Sequence, residues 1–445
     1  SHLYGDDDFQ KTMMIVNTSG WDTDCNSGNV GCLMGIKNGL AGLATGPDYR
    51  GPVADRLYLP TADGGRAVTN AVTETYHLVN SGRALAGLDP IHPKNGARFH
   101  FNLPGAVQGF IVDDSIEAAG TLSLENVAWT RHSPSHGSDP DEAYRLALHY
   151  TGVATGRVAR AGTATFMTPE AARMPGYGLI SSPTLYPGQT VRARVEADAQ
   201  DSGAVSCGLY IKRYGVEDAL VTVTGPQLVL EPGAGGELSW QIPPSPGEPI
   251  AEVGVEIRSD RRADGMIYLD TLTWDGAPDT TLGPPPHGAT MWQRAWVNAV
   301  DHLWTRDTIR LSQDRGTGML IQGTREWQDY EVRASYRPHL IRRGGLAARV
   351  QGLKRYYALL LCQGDKVQLV KALDGEVVLA ATDLSWSYDQ TYQLRLRVDG
   401  NEIDAWIDGE HLFQVTDDDR PLGRGAIALV CDEGRVDVAD VRVGR

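Results

Sequence analysis

The chain has 445 residues, 41% of them hydrophobic, with 51 glycines, 24 prolines and a formal net charge of −15. Single cores stop growing near ~250–300 residues, so several domains are expected. The negative charge argues against nucleic acid or an anionic membrane as partner, and no apolar run approaches the ~20 residues of a membrane span.

Residues 1–102 read as helical. Asp6, Asp7 and Asp8 precede Phe9, Met13, Ile15 and Val16, and acidic residues at a helix start complement its dipole. The turn Gly20–Asn26 then leads into a second helix, where Val30, Leu33, Met34, Ile36 and Leu40 recur at helical spacing. Gly28, Gly31, Gly35 and Gly39 lie on one stripe of it. Each interior glycine costs about 0.8–1 kcal/mol against alanine, so the stripe predicts close approach by another element. A third helix is expected from about Gly65 to Arg83. Asp63-Gly64-Gly65-Arg66 before it reads as a turn with a cap rather than an anion site. Three helices with so crowded a stripe want more partners than this zone supplies. The helical domain is therefore expected to be the C-terminal part of a larger one, with a segment upstream of Ser1.

Residues 103–278 change period. Val191–Val195, Val205–Ile211, Val253–Ile257 and Ile267–Asp270 alternate as strands of an antiparallel sandwich, separated by turn clusters such as Tyr186–Gln189. Residues 279–286, with Pro284, Pro285 and Pro286, read as a stiff linker. Residues 287–445 alternate more cleanly, with tight turns expected at Asp374-Gly375, Asp399-Gly400 and Asp408-Gly409. The fold class is thus a partial helical domain followed by two antiparallel β-sandwich, or jelly-roll, domains.

Five cysteines are scattered, Cys25, Cys32, Cys207, Cys362 and Cys431. Four sit in apolar or glycine-rich surroundings, as buried free thiols do, which predicts a reducing, cytoplasmic setting; a Cys362–Cys431 bridge stays open. The start of the chain, Ser1 to Asp6, is polar and shows no signal peptide, but it lacks an initiator Met, so a signal carried upstream, and with it secretion, stays the alternative.

Chemistry centres on Gly20-Trp21-Asp22-Thr23-Asp24-Cys25-Asn26. Two carboxylates two residues apart in a turn before a helix suit a divalent cation, against the plainer reading of an N-cap with an Asx turn. Trp21 is a candidate to stack on a substrate ring. Asn26 is a candidate for a sugar hydroxyl, with helix capping the stronger reading. Asn17 and Ser19 lie near the same loop. Cys25 is a poor nucleophile, because neighbouring negative charge lowers its thiolate fraction. The tryptophans of the β zones could offer sugar-stacking platforms, although most sandwich tryptophans are core.

The run Asn17 to Gly31 resembles the late metal motif of the ADP-ribosylglycohydrolase family. The resemblance implies an all-helical fold with a dinuclear divalent-metal site, magnesium with calcium or manganese as alternatives, and cleavage of a glycosidic bond to ribofuranose. Asp22 and Asp24 match the family's two aspartates, while Cys25 stands where a hydroxyl ligand is expected. The general base and the other ligands would lie upstream of Ser1. Residues 287–445 resemble concanavalin-like or laminin-G-like sandwiches, including those once called 3-keto-disaccharide hydrolases, through Trp327–Val332, Tyr356–Leu359, Tyr392–Leu394 and Ile403–Gly409. Residues 103–278 look like a galactose-binding-type jelly roll through Gly265–Asp275. These resemblances imply a metal-dependent glycosidase with a carbohydrate substrate and no organic cofactor. The alternative is a non-catalytic carbohydrate-binding or scaffold protein. Association with a missing N-terminal segment or with a second copy is expected.

Overall fold

A computed structural model describes residues 3–59, 61, 63–129, 144–174, 178–245, 247–286, 288–306 and 308–445. The chain divides into two compact units, Ser1–Asp55 and Arg56–Arg445.

The first unit is a pair of packed helices, α1 (Phe9–Asn17) and α2 (Thr23–Leu43). Asp8 caps α1, its carboxylate accepting from the Lys11 amide at 2.6 Å. Asp6 and Asp7 pair with Lys11 and Lys37. The acidic triplet therefore starts and staples a helix. The glycine stripe of α2 does not do what its spacing predicts. A Cβ at Gly28 or Gly35 would meet nothing within 4 Å, and Gly39, at φ +62°, breaks the helical path. Of the four stripe glycines only Gly31 faces a neighbour within this unit, the Met13 side chain.

Three helices form within residues 1–102, as expected, but the zone is not helical throughout. In residues 56–102 a short hairpin, Arg56–Tyr58 against Val68–Asn70, precedes α3 (Ala71–Leu85). That helix starts six residues later than its apolar spacing predicts. Asn70 is extended, accepts from the Thr73 amide at 2.9 Å and so sets the first turn.

The rest of the second unit is two sandwiches. In the first, one five-stranded sheet runs in the order Gly235–Gln241, Thr190–Ala197, Ala263–Asp275, Tyr144–Val153, Leu122–Ala128. The other runs Ile111–Val112, Ala159–Ala164, Ile250–Arg258, Val205–Tyr214, Leu220–Leu230. All neighbours pair antiparallel, and Leu146, Leu148, Val191, Val195, Leu209, Val253 and Leu269 fill the space between.

The second sandwich is a single twelve-stranded sheet folded on itself. Three long strands, Ile309–Gln322, Tyr330–Gly352 and Ala426–Gly444, take part in both layers. The first half of Tyr330–Gly352 pairs with Tyr392–Asp399, while its last part pairs with Arg355–Cys362. Register shifts at Pro338/Leu340 and Ala347/Val350 bend the strand between them. Of the expected turns, Asp408-Gly409 joins Ile407 directly to Glu410, both turn residues having positive φ. The next hairpin pairs Asp399 with Glu402, so its turn is Gly400-Asn401 rather than Asp399-Gly400.

Within the stretch read as a linker, Thr280–Thr281 pairs with Val443 and Arg442, and Leu282 is buried in the second core. Tyr186 of the first sandwich lies edge-on to Trp327 of the second, ring centroids 4.8 Å apart. All five cysteines are free; Cys25 and Cys32 are exposed, and Cys207, Cys362 and Cys431 are buried. Burial pushes the three buried thiols up, to about 12, 11 and 12.

Candidate functional site

The Asp22 loop keeps its residues together. Asp22 adopts a left-handed conformation, φ 43° and ψ 52°, and its side chain makes no capping bond to α2. One ligand atom from each of Asp22, Asp24 and Cys25 falls within 4.8 Å of the others, and all three residues are exposed. Among the described residues this is the one such group of three. The charges of Asp22, and then of Asp24, raise the Cys25 thiol above its ordinary pKa.

The donors do not fit the dinuclear magnesium centre that the resemblance implies. Hard cations want oxygen ligands, and the third position offers sulfur, kept protonated by the two carboxylates beside it. Two exposed carboxylates suit a single, largely hydrated cation. The neighbours serve the loop: Asn26 donates through Nδ2 to the Trp21 carbonyl at 2.9 Å, and Asn17 accepts from the Ser27 hydroxyl. Trp21 is 80% exposed, with its ring turned to solvent.

A second site, which motif reading passes over, lies in the larger unit. Residues 91–100 cross the first sandwich as a pinned strap. Lys94 Nζ donates to the Tyr144 carbonyl at 2.7 Å and to Asp270 Oδ1 at 2.7 Å. Phe99 exchanges two 3.0 Å backbone bonds with Leu272. Gln108 accepts from the His100 and Phe101 amides at 2.8 and 2.6 Å, and donates to the Arg98 carbonyl at 3.1 Å. The pairing of this stretch is a single bridge, and Phe101 turns away at φ +55°.

The strap holds Arg98 over Trp274, guanidinium carbon 4.3 Å from the ring centroid, with Nη2 on the Glu326 carboxylate of the second sandwich. Burial pulls the Arg98 pKa down to about 10, against the opposing charge of Asp275. Asp275 in turn accepts from Arg192 at 2.7 Å. Trp274 is itself seated, Nε1 donating to the Thr184 carbonyl at 2.9 Å. Across from the strap stands α3, where Asn80 and Ile91 exchange bonds of 3.0 and 2.7 Å. Tyr76 of α3 meets the buried His100 edge-on at 5.1 Å. Burial, with Lys94 nearby, lowers the His100 pKa to about 4, so its imidazole is neutral at pH 7.

Between these walls lies an open cavity of about 350 Å³, lined by Asn70, Thr73, His77, Arg98, Trp274 and Glu326 among others. Its lining mixes polar groups with apolar surface from Ile91, Pro93, Phe99 and Trp274. Two arginines line it and each faces a carboxylate, Arg66 on Glu74 and Arg98 on Glu326, and in the adjoining hollow Arg192 faces Asp275, so the groove offers adjacent donors and acceptors with little net sign. Arg98, Trp274 and Glu326 stand 176 and 52 positions apart in sequence, and no local pattern announces them.

No protein-family model matches the chain, and no curated protein matches it. Among solved structures, a carbohydrate-binding module from Bacillus subtilis aligns at 15% identity and a TM-score of 0.32, covering 34% of this chain and 95% of the other. A Caenorhabditis elegans galectin aligns at 11% identity and 0.23, covering 32% and 95%. A mutant Trypanosoma rangeli sialidase with trans-sialidase activity aligns at 13% and 0.29, covering 38% and 30%. Likenesses of this size bear on no more than part of this chain.

Proposed function

We propose that this protein binds a neutral carbohydrate in the groove between α3, the 91–100 strap and the two sandwiches. The observation that carries the reading is the pairing of opposite charges around Trp274: Arg98 with Glu326 and Arg192 with Asp275. A sugar hydroxyl donates one hydrogen bond and accepts others, so vicinal hydroxyls match an arginine–carboxylate couple. A groove with no dominant sign favours such a ligand over a phosphate or a free cation. Binding to immobilised neutral glycans tests this directly. Arg98→Ala and Glu326→Gln are each expected to weaken it at least tenfold; retention of full affinity by both variants defeats the assignment.

The second reading, a metal-dependent glycoside hydrolase of the ADP-ribosylglycohydrolase type, rests on the mutual closeness of Asp22, Asp24 and Cys25. Asp22 and Asp24 would hold one divalent cation, magnesium, calcium or manganese, which would supply Lewis-acid help. Trp21 and Asn26 would border the substrate, and the general base stays unassigned. Release of reducing sugar that survives both EDTA and the Asp22→Ala/Asp24→Ala double variant removes this reading.

A further inference from the structure

The groove extends beyond its first cavity. Three hollows meet at Arg98, Trp274 and Glu326, all within the Arg56–Arg445 unit. The first, of about 350 Å³, runs along α3 past Thr73 and His77. The second, of about 480 Å³, lies over the outer face of the first sandwich at Arg192, Glu237 and Thr273. The third, of about 310 Å³, lies between Gln189 of the first sandwich and Gln328 and Arg424 of the second. Thr73 and His77 line the first but not the second, and Arg192 and Glu237 the second but not the first, so these two run from the hub in different directions.

Each hollow by itself reaches the low end of the ~300–1,000 Å³ typical of a whole small-molecule site. One sugar ring at the hub would leave the others to water. A chain of rings can fill them in succession, each ring presenting hydroxyls to the polar groups of a mixed wall and its apolar face to the rest. Building on the carbohydrate reading above, we infer that the ligand is a linear neutral oligosaccharide or polysaccharide. One ring lies at Arg98–Glu326, and at least one further subsite lies on either side, toward His77 and toward Arg192.

The full-length protein, titrated calorimetrically with mono-, di-, tetra- and hexasaccharides of the glucan, mannan, xylan and galactan series, tests this. In the series that binds, affinity is expected to rise at least tenfold from mono- to tetrasaccharide and then to level off. His77→Ala and Arg192→Ala are each expected to cut the ratio of hexa- to monosaccharide affinity at least threefold. Equal affinity for mono- and hexasaccharide overturns the chain-length inference and leaves the carbohydrate reading standing. Absence of binding across all four series overturns both.

Discussion

At the scale of single residues, two groups make sharp demands on the protein. His100 is almost fully covered, and its pKa falls from about 6.5 in an unfolded chain to about 4 in the fold. The unfolded chain therefore takes up the proton first as pH falls. The stability that the neutral imidazole allows is complete above about pH 6.5 and drains away toward pH 4, by about 3 kcal/mol in all. Urea titrations at pH 7.5 and 4.5 should show this loss, and His100→Asn should flatten it; an unchanged slope for the variant counts against the burial argument. Arg160 poses the opposite problem. It is buried among Glu256, whose side chain is fully covered, Asp113 and Glu117. Arg160→Ala removes the buried cation these carboxylates share, leaving Glu256 to Arg258 and Asp113 to Lys212, and is expected to cost roughly 3 kcal/mol by urea denaturation. Cys25 is a gentler case, since the carboxylates of Asp22 and Asp24 suppress its thiolate. Replacing both with asparagine should speed iodoacetamide labelling of Cys25 at pH 8 about threefold or more, read by peptide mass spectrometry. The reactive residues of the loop were legible in the sequence because they are contiguous; Arg98, Trp274 and Glu326 were not, because only folding makes them neighbours.

At the scale of elements, side-chain period carried strands well and helices less well. The alternation in Val205–Tyr214 and Ile250–Arg258 reports a face packed on the core, and the structure pairs these strands along their length. A second, quieter signal is glycine on their outer face. A Cβ at Gly254 would stand 2.1 Å from the Ala161 carbonyl oxygen and 2.6 Å from the Gly162 Cα, both backbone atoms that cannot swing aside. Gly254→Ala is expected to lower stability by about 3 kcal/mol, the upper range of overpacking, with a fall in melting temperature as the readout. The helical stripe misled because spacing records which residues share a face, not whether anything packs on it. Leu33, Ile36 and Leu40 of α2 stand exposed beside the unfilled glycines. The start of α3 was misplaced for a related reason: a capping asparagine, not the apolar period, decides where a helix begins.

For the molecule as a whole, the decisive feature is how the sandwiches are joined. Thr280–Thr281 adds to the last strand of the chain, and Tyr186, Leu282 and Trp327 share one core. The Arg56–Arg445 unit should accordingly melt in one calorimetric transition, and separating the sandwiches at residues 279–286 should destabilise both by uncovering those side chains; two independent, unshifted transitions would refute the shared core. Acid should weaken the same unit. Burial alone would raise the Asp432 carboxyl, but hydrogen bonds from Arg342 and Arg343 outweigh it and hold it low. A depressed carboxylate contributes stability above about pH 3.9 and loses it as pH falls through the folded value. From the sequence alone came the two zones of antiparallel strands and the acidic loop at Asp22 and Asp24, because each is written in neighbouring residues. The groove at Arg98, the merging of two sandwiches into one unit and the unpacked glycine face of α2 were decided only in three dimensions, since they depend on contacts between segments far apart along the chain, which no local period encodes.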